Sequence, residues 1–362
     1  MSNKLEEARK IINEVDAQMA KLFVKRMRAA ELVYEHKREF GLPILDQKRE
    51  DAVIERNSLL VEDEVIKGYY IDYLRHLMSV SRAYQYRMQS GLKVAYSGVE
   101  GAFAHIAAGR IFPESNRVSY SDFKAAYDSV VNGGCDVVVL PIENSYAGEV
   151  GQTMDLIFSG GLFINGIYEL EIHQNLLGVS GATVEDIKKV TSHPQALSQC
   201  HDYLKMRGFE TEEANNTALA AKTVAEAKDK SLGAIASVET AEIYGLKVIE
   251  ANINKSGENT TRFAVLSKVK AASPALTSTV LMFTVKHEAG SLANAIGIIG
   301  KYGYNMTALR SRPMKKHSWQ YYFYVEIDGT TDSENGMKML AELNSVCDKL
   351  KVAGTFAPRT EI

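Results

Sequence analysis

Glycine almost vanishes from the first quarter of the chain. Residues 1–90 hold Gly41, Gly68 and a single proline, Pro43, which leaves 24 of the 26 glycines to the other 272 of the 362 residues. A stretch so poor in turn-formers folds most readily as long helices. In residues 3–40 the apolar side chains Leu5, Ala8, Ile12, Val15, Met19, Leu22, Ala29 and Val33 recur at helical spacing, and Gly41-Leu42-Pro43 supplies a stop. A second helix is predicted from near Asp46 and a third from about Glu64 to Met88. At 1.5 Å per residue the first helix would be about 57 Å long. That is more than three helices of one such unit can cover, so a helical dimer is predicted.

From Leu92 onward glycines separate short apolar runs, near 92–96, 136–140, 176–179, 190–192, 233–236, 247–250 and 262–266, with helical stretches between them. This alternation reads as α/β. After the linker 270–275 the pattern predicts a strand from Ser278, a helix from Ser291, strands from Asn305 and Tyr321, a helix over 333–350 and a last strand. That βαββαβ order is ferredoxin-like. The composition, 46% hydrophobic and 24% charged, suits a folded chain of two or three domains. With 42 Lys+Arg against 45 Asp+Glu and no basic block, the electrostatic footprint of a nucleic-acid binder is missing, and small molecules are the expected partners. Cys135, Cys200 and Cys347 lack CxxC spacing, so neither a disulfide framework nor a zinc site is expected, and a reducing cytoplasm is. No run of eighteen apolar residues predicts a membrane span.

Arg26 and Lys37 interrupt the first helix's apolar stripe. They are eleven residues apart, about three turns plus 20°, so both cations share one inward face. Buried charges need acids or an anionic ligand. Asp46, Arg49 and Glu50 share a face of the second helix, and Ser81 and Gln85 share a face of the third. A salt-bridge network would account for any one of these residues alone. Together with Arg9, residues 3–89 resemble the all-helical class of chorismate mutase. The resemblance implies that Arg9, Arg26 and Arg49 hold two substrate carboxylates, that Lys37 and Gln85 meet the ether oxygen, and that Asp46 and Glu50 meet the ring hydroxyl region. Ser81 would lie near a carboxylate. Arg9 is about 25 Å along the helix from Arg26 and about 100° around it, and the family's pattern sends it to the partner subunit's site.

Further along, strand-like runs end in Pro141-Ile142-Glu143-Asn144-Ser145 and in Ser192-His193-Pro194-Gln195, at the strand termini where open α/β sheets bind ligands. No GxGxxG fingerprint is present, which disfavours a nicotinamide dehydrogenase. Gly98-Val99-Glu100-Gly101 is read as a turn, His193 as structural, and Cys200-His201 as packing. With Gln199, Asn216-Thr217-Ala218 and Asn259-Thr260-Thr261-Arg262-Phe263, residues 92–268 resemble prephenate dehydratase, a two-lobed α/β fold similar to type II periplasmic binding proteins. The resemblance implies Thr261 beside the departing hydroxyl and Arg262 on a substrate carboxylate, with Asn144, Ser145, Ser192, Gln199 and Thr217 lining the cleft. Ser145 stands where threonine is usual and Ala104 where a hydroxyl is common.

Residues 278–355 resemble an ACT domain, a ferredoxin-like amino-acid-binding module. Gly290-Ser291-Leu292-Ala293 and Arg310-Ser311-Arg312-Pro313 stand in for its two motifs, half of each altered. The implied organisation is a mutase at 1–90, a dehydratase at 91–269 and a regulatory domain at 276–362. Such a chain would take chorismate through prephenate to phenylpyruvate as a homodimer or dimer of dimers. It would use no cofactor or metal, and L-phenylalanine would inhibit it. Two other readings are a non-catalytic sensor of small dicarboxylates on a helical stalk, and arogenate as the substrate of the middle domain.

Overall fold

The computed structural model describes residues 4–254, 259–271, 273, 275–314, 320–357 and 360–362. Ala272 and Pro274 of the predicted linker lie outside the described residues. The chain forms two compact units, Met1–Gly91 and Leu92–Ile362.

The first unit is three helices, α1 (Lys4–Glu39), α2 (Gln47–Ser58) and α3 (Glu64–Ser90), with α3 packed on both others. Asp46 and Asp63 set the two later starts: their carboxylates accept Arg49 N at 3.0 Å and Val65 N at 2.9 Å, which satisfies first-turn donors. Among the described residues of α1, Ala30 and Tyr34 alone are buried. The apolar stripe from Leu5 to Val33, expected as core, lies exposed along it; Leu22, for example, is 65% accessible.

The second unit holds two sheets. Strands Lys93–Ser97, Asn116–Tyr120, Val137–Asn144, Phe163–Glu171 and Thr260–Ser267 build one lobe. Strands Asn175–Gly178, Lys189–Ser192, Glu210–Glu213, Leu232–Ala236 and Lys247–Glu250 build the other. The chain leaves the first lobe at Glu171 and re-enters at Thr260, its pairing partner, so both crossings lie side by side. Asn116–Tyr120, Phe163–Glu171 and Glu210–Glu213 were not predicted as strands. The longest of them carries Asn165 and Gly166 in mid-run, where Asn165 reaches Ser267 Oγ at 2.7 Å.

Past residue 275, strands Ser278–Val285, Met306–Pro313, Tyr321–Asp328 and Cys347–Phe356 alternate with helices Ser291–Lys301 and Glu334–Val346. Their spatial order, second-third-first-fourth, is the ferredoxin-like one. The last helix ends at Val346, short of the predicted 350, because Lys349, Lys351 and their neighbours pair as strand against Ser278–Val285. This C-terminal sheet continues the first lobe's sheet through Gly354, which pairs with Ile164, and through Thr360–Glu361, which pair with Tyr168 and Glu169. A Cβ on Gly354 would sit 2.0 Å from Ile164 O, so only glycine lets the backbones meet. One apolar core serves both regions: Tyr127, Met154 and Ile157 belong with Val280, Met282 and Phe356, and Phe158 stacks on Tyr322 at 4.3 Å.

Candidate active sites

In the helical unit a cavity of about 350 Å³ opens between the three helices. Of the eight polar residues singled out there, Arg26, Lys37, Asp46, Arg49, Glu50, Ser81 and Gln85 all line it. Arg9 does not; it lies seventeen residues before Arg26 on α1, exposed. Arg26 donates to Ser81 Oγ, and Lys37 Nζ to Ile44 O at 2.5 Å. Gln85 spends one amide hydrogen on Ser81 O at 3.3 Å and leaves Oε1 buried without a partner, so its amide retains capacity for a bound molecule. Sequence reasoning missed Arg82, whose guanidinium grips both carboxylate oxygens of Glu50. Its position next to Ser81 reads as 100° off the polar face. Arg56 also reaches the cavity, so five cations and two carboxylates line it. Such a wall suits a small dianion and needs neither nucleophile nor metal to hold it.

Between the two lobes of the larger unit lies a cleft of about 320 Å³. Asn144, at the end of its strand, and Thr261, its partner across the strand pair, form one wall; Gln199 and Thr217 come from the other lobe. The Asn144 amide donates to Thr261 Oγ1 at 2.9 Å and to Asn259 Oδ1 at 2.9 Å, while its Oδ1 accepts Tyr146 N, Ala147 N and Gln195 Nε2. The last of these bonds spans the lobes. Gln199 Oε1 accepts both Gln174 Nε2 at 3.2 Å and Asn259 Nδ2 at 3.0 Å. Gln174, Gln195 and Asn216 also line the cleft, although the sequence pattern did not single them out as ligand-facing. Gln195 and Asn216 sit inside the motifs named above. Gln174 has no motif around it and could not have been found that way.

His193 also lines the cleft. Burial holds its imidazole below the usual 6.5, and the neutral ring caps the helix Pro194–Gln199 by accepting Gln195 N on Nδ1 at 3.2 Å. Burial pushes the Cys200 thiol up to about 12, which makes it a packing residue rather than a nucleophile.

Three expectations are corrected. Ser192 is fully buried in the second lobe and donates to Ile235 O at 2.6 Å, away from the cleft. Ser145 is exposed, and its Oγ accepts Thr260 N at 2.9 Å, so it pins the strand leading to Thr261. Arg262 does not line the cleft at all. Side chains alternate along a strand, so with Thr261 facing the ligand space its neighbour faces away. Arg262 forks onto Glu326 at 2.8 and 2.9 Å and contacts Glu143 at 3.0 Å. No arginine or lysine lines this cleft among the described residues.

In the C-terminal region Gly290 takes a left-handed φ of 87° at the start of helix Ser291–Lys301, whose first turn holds Leu292 and Ala293. Leu292 borders a cavity of about 320 Å³ shared with Lys286, His287, Glu288 and Tyr321. Arg310 and Arg312 are half-buried toward the first lobe: Arg310 pairs with Glu143, and Arg312 with Glu149 and with Asp155 at 3.5 Å. Ser311 and Pro313 alternate with them on the exposed face.

Comparison with known proteins adds the following. The family model described as prephenate dehydratase matches residues 94–271, and that described as chorismate mutase type II matches residues 8–86. A protein of Aquifex aeolicus, bifunctional chorismate mutase/prephenate dehydratase, is 32% identical over 361 residues, covering 98% of each chain. Arogenate dehydratase/prephenate dehydratase 2 of Arabidopsis thaliana is 32% identical over 278 residues, 74% of this chain and 73% of that one. Among solved structures, the prephenate dehydratase of Staphylococcus aureus superposes with a TM-score of 0.65 at 26% identity, over 73% of this chain and all of the other.

Proposed function

The chain belongs to the bifunctional chorismate mutase/prephenate dehydratase family, and from that premise we propose how its own residues divide the work. It rearranges chorismate to prephenate and then converts prephenate to phenylpyruvate by decarboxylating dehydration, in which the ring carboxylate leaves as carbon dioxide, its bonding electrons aromatise the ring, and the ring hydroxyl leaves as water; these are two steps of phenylalanine biosynthesis.

The first step breaks a C–O bond and makes a C–C bond within one molecule, so positioning and charge stabilisation suffice. In the α1–α3 cavity Arg26 and Arg49 hold the substrate carboxylates, while Lys37 and the Gln85 amide face the ether oxygen as negative charge grows on it. Arg9 completes the site from a second copy, whose α1 covers the exposed stripe. The observation supporting this reading is the convergence of seven residues from three helices on one cation-rich cavity.

For the second step Thr261 Oγ1 accepts the Asn144 amide, which leaves its own O–H free to protonate the departing hydroxyl. With no arginine or lysine among the described residues that line the cleft, the substrate's carboxylates fall to the side-chain amides and to backbone N–H groups at the starts of helices Phe103–Ile111 and Thr217–Ala227. Residues 1–90, 91–269 and 276–362 act as mutase, dehydratase and ACT-type regulatory domain. L-Phenylalanine binds beside Gly290–Ala293, where Lys286 and Glu288 offer charges of both signs to an amino acid. A second reading, arogenate as substrate, is favoured by the absence of Lys, Arg, Asp and Glu among the described lining residues and by the buried, unpartnered Gln174 Oε1, an acceptor for an ammonium.

The test feeds chorismate to the enzyme and follows both products. Thr261→Ala should lower dehydration at least about tenfold and accumulate prephenate. Lys37→Ala should stop use of chorismate yet still consume added prephenate. Parental dehydration by Thr261→Ala would remove Thr261 from the mechanism, and parallel assays with arogenate decide the second reading.

A further inference from the structure

Behind the dehydratase wall lies a cluster of charges that the chemistry above does not use. Thr261 pairs with Asn144 and Arg262 with Glu143, so the two rungs are consecutive. The first rung faces the cleft and the second faces the C-terminal sheet. There the Arg262 guanidinium, whose side chain is 7% accessible, forks onto Glu326 and touches Glu143; Glu169 lies 3.7 Å from its Nε. Arg310 binds Glu143 from the other side and lies 3.9 Å from Glu326, over the Tyr324 ring at 5.5 Å. Tyr324 donates to Glu326 at 2.6 Å.

We propose that Glu326 and Arg310 are positioning residues for dehydration, acting on Thr261 and Asn144 through Arg262 and Glu143 across the thickness of one strand pair. A guanidinium buried this deeply cannot stay where it is without its carboxylates, and a bidentate fork fixes direction as well as distance. Any shift of strand Tyr321–Asp328 or Met306–Pro313 is therefore passed to Arg262 and Glu143. The reacting hydroxyl is one residue from the first and its amide partner one residue from the second. Arg262 thus serves the reaction from behind, as the link between the C-terminal region and the cleft. This inference rests on the assignment of Thr261 to the dehydration site.

The experiment measures dehydratase kcat and the KM for prephenate in full-length Glu326→Gln, Arg310→Met and Arg310→Lys, well below each variant's melting temperature. Mutase rate in the same chains serves as the internal control. Glu326→Gln should lower kcat by about 10- to 100-fold, the scale of a small misplacement, with KM changed less than about twofold and mutase rate unchanged. Arg310→Met should lower kcat in the same sense, and Arg310→Lys should restore most of it. If Glu326→Gln does not fold, the Arg310 pair decides alone. Earlier melting with parental kcat in Glu326→Gln and Arg310→Met, or in Arg310→Met alone if only it folds, would make the cluster structural and overturn the proposal. Thr261→Ala runs alongside: if it keeps the parental rate, the site assignment fails and this inference with it. If it loses rate while the cluster variants do not, this inference alone fails.

Discussion

Glu326 shows how much one side chain's protonation can depend on its neighbours. Burial by itself would raise its carboxyl, but hydrogen bonds and charge from Arg262, aided by Tyr324 and Arg310, hold it below the usual 4.5. A carboxylate depressed in the folded state contributes stability that is complete above its unfolded value, and that contribution is lost as pH falls through the folded one. Denaturant midpoints taken from neutral pH to below 4.5 should therefore fall in the parent, with a smaller fall in Glu326→Gln, which has no proton to gain there. At neutral pH that variant should be less stable by about 3 to 5 kcal/mol, the scale for stripping one partner from a buried pair. Equal pH slopes in the two proteins would deny Glu326 this role. The same residues mark where a motif stops being informative. Thr261-Arg262-Phe263 was legible as a motif, yet its adjacency suggested two cleft residues where strand alternation allows one. That alternation is itself a property of the sequence, and with Thr261 on the cleft side it sends Arg262 to the opposite face.

Among the elements, α1 carries the clearest unspent information. Its 36 residues run about 54 Å, and its apolar stripe lies exposed among the described residues. Mixing Arg9→Ala with Arg26→Ala chains should restore mutase activity, because one of the two sites in a mixed dimer keeps both arginines. Heterodimers shown to form without any recovery would count against a shared site. Helices were readable from the sequence because a 3.6-residue period repeats over many turns: all three in this unit were anticipated, with every start and the ends of α1 and α3 within a few residues. Strands were harder. Phe163–Glu171 was missed because Asn165 and Gly166 break its apolar run, and what makes it a strand is pairing on both edges with residues about a hundred or more positions away. The mutase cavity was legible because helical spacing alone brings its residues onto facing sides, whereas Gln174 reaches the dehydratase cleft by tertiary placement that no local pattern encodes.

For the molecule as a whole, the C-terminal region is built into the dehydratase rather than attached to it. Val280, Met282, Tyr322, Tyr324 and Phe356 complete a core begun by Tyr127, Met154 and Ile157. A chain stopped after residue 269 should therefore lose dehydration and aggregate, as uncovered apolar surface of this kind does. Residues 1–91, a separate compact unit, should keep mutase activity when expressed alone. Sedimentation and the two assays would show it, and a soluble, active 1–269 chain would refute the shared core. The bridge from Gly354 to Ile164 also bears on time. During synthesis, strand Phe163–Glu171 leaves the ribosome roughly 190 residues ahead of its partner, a gap of about ten to forty seconds at ordinary elongation rates. For that interval the nascent lobe carries an unpaired strand edge, a template for pairing with other chains. Synthesis therefore has a window, set by chain order alone, in which this edge is open to mispairing before its own partner exists.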